Sequence, residues 1–428
     1  MNRATFGTDG IRGIYGENLT EETAFRLGFA LGEKGNVLIG RDNRPSSPSL
    51  ARALACGAAS VGGCTVAVGL TTTPALYYLL TRSASSHAVM VTASHNPPTH
   101  NGLKVFSRQG KLSEEDRIKI ELEMGAISPH LDPDFPLAED PSLLGEYEDF
   151  FLRTVGNLKG SRIVLDYAGG AGYAFKGLLE TLGAQVTAMN LRESGEHINE
   201  GCGALHPEHM AEETRRQGAD LGIAIDGDGD RLIVADREGR LSDGDAITYL
   251  FACKMKKART LARDKVVMTV MTNSGVLKSL SREGIAVISC AVGDAAVTET
   301  MKAERLNLGG EQSGHVILGD CLMTGDALLA GAMLLKSIRE EGVSLTPPPE
   351  IYPQILLNVA VPDKSVAYDP ALQSLAAEIK EELKEGRVLL RASGTEEVVR
   401  IMVEHPRETV ARAAAERLKA SVLRARTI

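Results

Sequence analysis

The chain has 428 residues, 43% hydrophobic and 24% charged, with a net charge of −9. At about 150 residues per domain this length calls for roughly three or four domains. The composition is that of a globular protein, neither fibrous nor disordered. Phosphate-backbone binding needs clustered cations, and without a Lys/Arg-rich block in an acidic chain no nucleic-acid partner is expected.

No apolar run reaches the length of a membrane span, and the first residues lack the apolar stretch of a secretory signal, so no membrane partner is expected. The six cysteines (Cys56, Cys64, Cys202, Cys253, Cys290, Cys321) are dispersed, without Cys-x-x-Cys or zinc-like Cys/His spacing. They read as reduced thiols of a cytoplasmic protein.

In chain order, Phe6-Gly7-Thr8-Asp9-Gly10-Ile11-Arg12-Gly13 interleaves glycines with polar residues, as suits a loop whose backbone approaches a ligand. Arg12 either binds phosphate through its donor fork or is a surface arginine in a turn. Helical spacing of Ala24, Leu27, Gly28 and Leu31 predicts a helix over 21–31. The strand 37–40 leads to a serine-capped helix over 49–60. Strand 65–69 and helix 75–82 continue an alternation that predicts a parallel-dominated sheet with helices on both faces.

The apolar run Ala88-Val89-Met90-Val91 reads as a buried strand delivering the polar turn Thr92-Ala93-Ser94-His95-Asn96-Pro97. Strand ends of open α/β sheets are where ligands bind. A serine there becomes a group carrier when a base or metal activates it; otherwise it is an ordinary turn serine. Asn101–Phe106 returns into a strand carrying Lys104, either a site lysine or a solvated one. Acidic, proline-rich 129–141 reads as a domain edge.

Strand 162–166 opens a second αβ unit, followed by Gly169-Gly170-Ala171-Gly172, which departs from Gly-x-Gly-x-x-Gly and reads as tight strand–helix packing. A helix over 175–182, a strand over 185–189 and a buried strand over 221–225 are predicted. The last delivers Asp226-Gly227-Asp228-Gly229-Asp230-Arg231. Two carboxylates about 4 Å apart repel by roughly 4 kcal/mol at an effective dielectric near 20. A hard cation removes that cost, and oxygen-only ligands favour Mg²⁺ or Ca²⁺ over Zn²⁺. Arg231 and Arg237 stand where an EF-hand needs Gly and Glu, so that motif is excluded. The alternative is an acidic turn splayed into water.

A third unit repeats the rhythm: strand 266–270, helix 275–282, strand 285–290, helix 295–302 and helix 326–338. Between the last two, Gly309–His315 presents Glu311 and Ser313 with the spacing to grip adjacent sugar hydroxyls, and His315, which is either a ligand contact or structural. The triple proline 347–349 predicts an extended spacer. The last segment combines strands 354–361, 387–390 and 398–403 with helices 370–383 and 407–424. Arg391, Ser393, Gly394, Thr395 and Arg400 make an anion nest of hydroxyls, backbone N–H groups and two guanidiniums.

Four loops, Thr92–Pro97, Asp226–Arg231, Gly310–His315 and Arg391–Thr395, together resemble those of the α-D-phosphohexomutases, in that family's order and from end to end of the chain. The resemblance implies an α/β protein of three sequential mixed α/β-sheet domains plus a C-terminal α+β domain around a central cleft. These are a phosphoserine-loop domain (1–143), a metal-loop domain (144–243), a sugar-loop domain (244–345) and a phosphate-loop domain (346–428).

It implies that Ser94 is a phosphoserine and that Asp226, Asp228 and Asp230, with a phosphoserine oxygen, hold one Mg²⁺. Glu311 and Ser313 grip the sugar, with His315 beside them, and Arg391, Ser393, Gly394, Thr395 and Arg400 hold the remote phosphate. Arg12, His95, Lys104 and Arg231 surround the reacting phosphoryl group, with Lys104 and His95 the candidate acid/bases. The Phe6–Gly13 segment, Gln312 and Thr324-Gly325-Asp326 look most like the bacterial branch acting on glucosamine phosphates. That branch interconverts the 6- and 1-phosphates through a bisphosphate, for UDP-N-acetylglucosamine and cell-wall precursor synthesis. It is activated by a sugar bisphosphate or by phosphorylation of Ser94, and a monomer or homodimer is expected.

Several positions depart from the family pattern. Ala295-Ala296 stand where an arginine usually follows Gly-Asp, Asn43 where threonine is usual, and Glu397 where proline is usual. Pro98 is closer to the phosphomannomutase/phosphoglucomutase branch. A mutase of glucose or mannose phosphates is therefore one alternative, and a non-catalytic sugar-phosphate sensor the other.

Overall fold

The computed structural model describes residues 6–7, 10–341, 345, 350–393 and 398–425. Thr8, Asp9, the triple proline 347–349, Gly394, Thr395 and Glu397 lie outside the described residues. The chain forms two compact units, Met1–Val270 with Ala286–Leu345, and Met271–Ile285 with Thr346–Ile428.

The first unit begins with strands β1 (Phe6–Gly7), β2 (Gly10–Ile14), β3 (Val37–Arg41), β4 (Thr65–Leu70), β5 (His87–Val91), β6 (His100–Ser107) and β7 (Gly110–Lys111). Helices α1 (Glu21–Gly32), α2 (Ser47–Ala59), α3 (Thr73–Arg82) and α4 (Glu114–Ala126) accompany them. The strands run in the order β1-β2-β6-β5-β3-β4, with β7 on β6.

The sheet is mixed, where the strand–helix alternation predicted a mainly parallel one. Only β3–β4 and β3–β5 pair in parallel, while β1–β2, β2–β6, β5–β6 and β6–β7 are antiparallel. The reason is the short return after β5. Residues 92–99 leave no room for the crossover that a parallel partner needs, so β6 comes back antiparallel and the Arg12 segment adds beside it as β2. Helices α1 and α2 cross closely because Gly28 and Gly57 face one another's helix. A Cβ on Gly28 would lie 1.9 Å from the Leu54 carbonyl oxygen, and one on Gly57 2.0 Å from that of Phe25.

Helix α5 (Gly145–Val155) buries Tyr147, Phe151 and Val155. It leads to β8 (Arg162–Asp166), α6 (Leu178–Thr181), β9 (Gln185–Met189), α7 (Glu208–Gln217), β10 (Leu221–Ile225), β11 (Leu232–Ala235) and β12 (Leu241–Ser242). The order of this sheet is β12-β11-β10-β8-β9. The helix predicted over 175–182 survives only as α6: the 3₁₀ turn Ala171–Phe175 ends and Gly177, at φ 87°, breaks the path.

Next come α8 (Gly244–Lys257), β13 (Lys265–Thr269), α9 (Ser274–Arg282), β14 (Ala286–Cys290), α10 (Asp294–Glu304), β15 (Leu308–Gly310), β16 (Val316–Leu318) and α11 (Ala327–Glu341). The third sheet has the order β14-β13-β15-β16. Among the described residues no helix is long and apolar enough to cross a membrane.

The second unit holds α9 together with β17 (Gln354–Ala360), α12 (Pro370–Leu383), β18 (Arg387–Ala392), β19 (Val398–Glu404) and α13 (Glu408–Ala425). Its antiparallel sheet runs β17-β19-β18, and α12 and α13 close an apolar core that includes Leu372, Ile379, Ile401, Val403 and Leu418. Buried Glu404 ties α9 to this sheet, accepting the Ser274 N–H at 3.0 Å and the Arg387 guanidinium at 3.3 Å.

Candidate active site

The strand β5 ends at Val91, and three residues later Ser94 sits in the left-handed region at φ 54°. For a non-glycine residue that conformation costs on the order of 1–3 kcal/mol and persists only where the surroundings over-determine it. Here they do. Arg44, fully buried, donates to the carbonyl oxygens of Ser94 (3.0 Å), Asn96 (2.8 Å) and His100 (3.0 Å), and also to that of Pro97. Its Nε is held by Asp42 at 2.9 Å. From beyond β8, Asn199 donates to the same Ser94 and Asn96 oxygens at 2.8 and 3.1 Å. Gly227 presses on the loop as well, since a Cβ there would lie 2.5 Å from the Ser94 oxygen.

This clamp aims the Ser94 hydroxyl at Asp226, to which it donates at 2.7 Å. The aspartate loop is a tight turn: Asp226 Oδ1 accepts the N–H groups of Asp230 and Arg231, each at 3.1 Å, and Gly229 takes φ 75°. Lys104 reaches in from β6 and places Nζ 2.6 Å from Asp228 Oδ2 and 2.8 Å from Asp230 Oδ2. Thr73, the first residue of α3, donates its N–H to the Asp228 carbonyl at 2.9 Å and its hydroxyl to Asp228 Oδ2.

Ligand atoms of Asp226, Asp228 and Asp230 lie within 4.8 Å of one another. Asp228 Oδ1 and Asp230 Oδ1 are buried with no hydrogen-bond partner among the described residues. Burial, followed by the charges of Asp230 and Asp228, pushes Asp226 well above the usual carboxylate range. Burial acts the same way on Asp228, but the Lys104 charge and the hydrogen bonds from Lys104 and Thr73 outweigh it and hold this carboxyl low. Converging buried carboxylates with unused oxygens fit a hard divalent cation.

Cations ring the serine. Arg12 on β2 stands opposite Gly102 on β6, and its side chain packs 3.1 Å from where a Cβ of that glycine would be. His95 Nδ1 lies 3.5 Å from Ser94 Oγ. Its pKa is lowered to about 3, first by burial and then by the charges of Arg231, Arg12 and Lys104. His95 is therefore a neutral imidazole near pH 7.

The β15–β16 hairpin carries Gly310–His315. Glu311 is buried and accepts the Gly293 N–H at 2.9 Å, and burial raises its pKa. Ser313 is exposed, two residues along. His315 is buried with Nε2 accepting the Gly325 N–H at 3.0 Å and Nδ1 3.9 Å from Asp230 Oδ1. Backbone bonds stitch this region to the aspartate loop, from Leu232 N–H to Gly314 O at 2.9 Å and from Ala327 N–H to Gly229 O at 3.0 Å. Asp294, at the start of α10, lies 3.9 Å from His315 Nε2 and pairs with Lys111 at 2.5 Å. The structure thus brings Ser94, His95, Lys104, Asp226, Asp228, Asp230, Glu311 and His315 into one connected region of the first unit.

In the second unit Arg391 and Arg400 face each other across β18–β19. Burial and then the Arg400 charge lower the Arg391 pKa. Buried Ser393 donates its N–H to Val398 O at 3.0 Å. Gly394 and Thr395 of this loop lie outside the described residues.

Sequence reasoning missed Arg44, Thr73, Asn199, Lys111 and Asp294 as site neighbours. Of Arg41-Asp42-Asn43-Arg44 the sequence reading singled out only Asn43, although two opposite charges two residues apart beside a strand are a usable signal. Nothing local marks Asn199 or Thr73, whose partners are 105 and 155 residues away.

A hydroxyl on an over-determined turn, bonded to one of three clustered buried carboxylates with cations nearby, is an arrangement suited to group transfer. The chain belongs to the phosphoglucomutase/phosphomannomutase family: the models of its α/β/α domains I, II and III match residues 3–129, 146–239 and 243–353, and that of its C-terminal domain matches 356–421. It is accordingly an isomerase of the phosphohexomutase class.

Phosphoglucosamine mutase of Bacillus licheniformis is 40% identical over 421 residues, covering 93% of this chain and 94% of that protein. Phosphoglucosamine mutase of Geobacillus thermodenitrificans is 40% identical over 444 residues, covering 98% of each. Among solved structures, a phosphoglucomutase/phosphomannomutase family protein from Burkholderia thailandensis superposes with a TM-score of 0.81 at 24% identity, over 99% of this chain and 97% of that one. N-acetylphosphoglucosamine mutase of Aspergillus fumigatus, solved with GlcNAc-6P and magnesium, gives a TM-score of 0.69 at 18% identity over 99% and 96%.

Proposed function

We propose that this chain interconverts glucosamine 6-phosphate and glucosamine 1-phosphate, with Ser94 as the phosphoryl carrier. The observation that carries the reading is the Ser94 hydroxyl, held in the left-handed region 2.7 Å from Asp226 at the edge of a buried three-aspartate cluster. The curated relatives named phosphoglucosamine mutase support the choice of sugar.

In this reading phospho-Ser94 gives its phosphoryl group to the free hydroxyl of the sugar phosphate. The Oγ–P bond breaks and a new O–P bond forms on the sugar, leaving a bisphosphate. The bisphosphate turns around, and its other phosphoryl group returns to Ser94 as that sugar O–P bond breaks.

His95, neutral and 3.5 Å from Ser94 Oγ, accepts the proton of the attacking sugar hydroxyl and passes it to the departing Ser94 Oγ; in the second half it takes the Ser94 proton and gives it to the departing sugar oxygen. The Lys104 ammonium and the Arg12 and Arg231 guanidiniums neutralise the charge spread over the transferring oxygens. Asp226, Asp228 and Asp230, with an oxygen of the Ser94 phosphate, would hold Mg²⁺. When bound, the ion withdraws charge from the phosphoryl group. Glu311 and Ser313 grip sugar hydroxyls, and His315 orders that hairpin against the aspartate loop.

Arg391, Ser393, Gly394, Thr395 and Arg400 hold the phosphate that is not reacting. Domain edges at 143, 243 and 345, activation by a sugar bisphosphate or by phosphorylation of Ser94, and a cytoplasmic monomer or homodimer belong to the same reading.

Intact mass and turnover test it together. The purified protein is expected to carry a phosphate adduct that is lost on mixing with glucosamine 6-phosphate, and Ser94→Ala is expected to lose both adduct and turnover. Near-normal turnover in Ser94→Ala sinks the mechanism. A coupled assay across glucosamine, glucose and mannose 6-phosphates tests the sugar, and a strong preference for glucose or mannose overturns that assignment. A protein that never takes up phosphate, even from a bisphosphate, is a sensor.

A further inference from the structure

We propose that Thr73 is a positioning residue for the cation site: its hydroxyl engages one oxygen of Asp228 and thereby presents the other to the metal. This rests on the reading of the aspartate loop as a divalent-cation site.

Asp228 is fully buried and its two oxygens are unlike. Oδ2 accepts both the Thr73 hydroxyl and Lys104 Nζ. Oδ1 has no hydrogen-bond partner among the described residues. A carboxylate turns about its last bond, so whichever oxygen is tied down decides which one is offered.

Thr73 is suited to do this. Its N–H is fixed to the Asp228 carbonyl at 2.9 Å, so α3 grips residue 228 at backbone and side chain together. Two observations make the grip stiff. Thr73 opens α3 with Pro74 beside it, and β-branching limits its χ1. Thr72 also packs on the same turn, where a Cβ on Gly229 would lie 2.9 Å from Thr72 Cγ2. Lys104 also engages Oδ2, but its ammonium is shared with Asp230 Oδ2 at 2.8 Å, so the partner that fixes the orientation of Asp228 by itself is the threonine hydroxyl. Thr73 belongs to the serine-loop part of the first unit and Asp228 to the part built on β10, so the hydroxyl makes the geometry of the cation site depend on the seating of these two parts.

Loss of an outer partner of a metal ligand typically lowers metal affinity by about 10–100-fold. The test is Mn²⁺ binding to the full-length, unphosphorylated protein, read as free Mn²⁺ by electron paramagnetic resonance. Thr73→Val keeps volume and branching and deletes the hydroxyl, while Thr73→Ser keeps the hydroxyl. Valine is expected to weaken Mn²⁺ binding by about 10-fold or more, and serine to stay within about 3-fold of the parent. In turnover, the valine variant is expected to recover kcat at raised Mg²⁺ while its half-saturating Mg²⁺ rises in step with the Mn²⁺ affinity loss. Parent-like Mn²⁺ affinity in Thr73→Val overturns the proposal, as does a serine variant as weak as the valine one. A parent protein that binds no Mn²⁺ overturns the cation reading itself, a separate result.

Discussion

Arg44 and Asn199 donate to the same two carbonyl oxygens, yet their removal should differ about twofold in cost. In Asn199→Ala the Ser94 and Asn96 oxygens keep Arg44, at 3.0 and 2.8 Å, so no buried acceptor is orphaned. The loss is then the net worth of two hydrogen bonds, about 1–2 kcal/mol in total. In Arg44→Leu the same oxygens keep Asn199, but fully buried Asp42 loses its guanidinium. Breaking a buried pair by removing one partner costs about 3–5 kcal/mol.

The lower end applies, because Asp42 Oδ1 still accepts the residue-44 N–H at 3.1 Å and the Ser47 hydroxyl at 2.5 Å. Arg44→Leu should therefore exceed Asn199→Ala by roughly 1.5 kcal/mol, a sizeable share of a typical stability of about 5–15 kcal/mol. With a urea slope near 3 kcal/mol/M, the two midpoints should drop by about 1 M and about 0.5 M. Arg44→Lys, which keeps a cation for Asp42 but not the planar donor fork, should fall between them. Urea unfolding of the full-length proteins checks this, and equal midpoints for the two variants would refute the claim that the buried charge, more than the shared carbonyls, dominates.

Two pH responses follow from buried groups. Burial raises Asp326, whose Oδ2 accepts the Tyr147 hydroxyl at 2.7 Å, to about 6 against an ordinary 3.8. Between those values the folded chain keeps a proton that the unfolded chain has lost, so this group's contribution to stability falls as pH rises from 3.8 to 6 and is level above that. In urea midpoints taken across that window, Asp326→Asn should remove this component, and a variant with the parent's full slope contradicts the assignment. His95 should respond to ligand: its imidazole NMR resonance is expected to titrate near 3 in the free protein and markedly higher with a sugar monophosphate bound. An unchanged value separates His95 from the phosphate.

How far the sequence carried depended on the range of each interaction. Period and punctuation sufficed for most strands, because a run such as Leu221–Ile225 is buried at every position. They failed where a single backbone angle decided, as at Gly177, and where pairing depended on a distant partner, as for β2 beside β6. The four loops were readable because each concentrates unusual residue types after a strand. Their mutual distances were not. Asp226 and Ser94 are 132 residues apart, and Lys104 could be placed on a neighbouring strand but not between two aspartates. Arg44 escaped because burial, which turns a turn arginine into a clamp, has no local signature.

The electrostatics of the site also explain how one histidine can serve both halves of the proposed reaction. Burial and three cations hold His95 neutral. Those cations are present for the phosphoryl group, and an arriving phosphate offsets them. A group whose proton affinity is suppressed by neighbouring positive charge regains it when a dianion sits within about 4–6 Å. In the proposed reaction the imidazole would therefore become a better proton acceptor when a sugar phosphate enters, and revert when the ligand leaves. Asp226 works in the opposite sense. Its raised proton affinity comes from burial and from Asp230 and Asp228, so a divalent cation held by these carboxylates would lower it. In the proposed reaction substrate and metal would thus each prepare the partner on their own side of Ser94, the residue that Arg44 and Asn199 hold in a conformation it would not adopt alone.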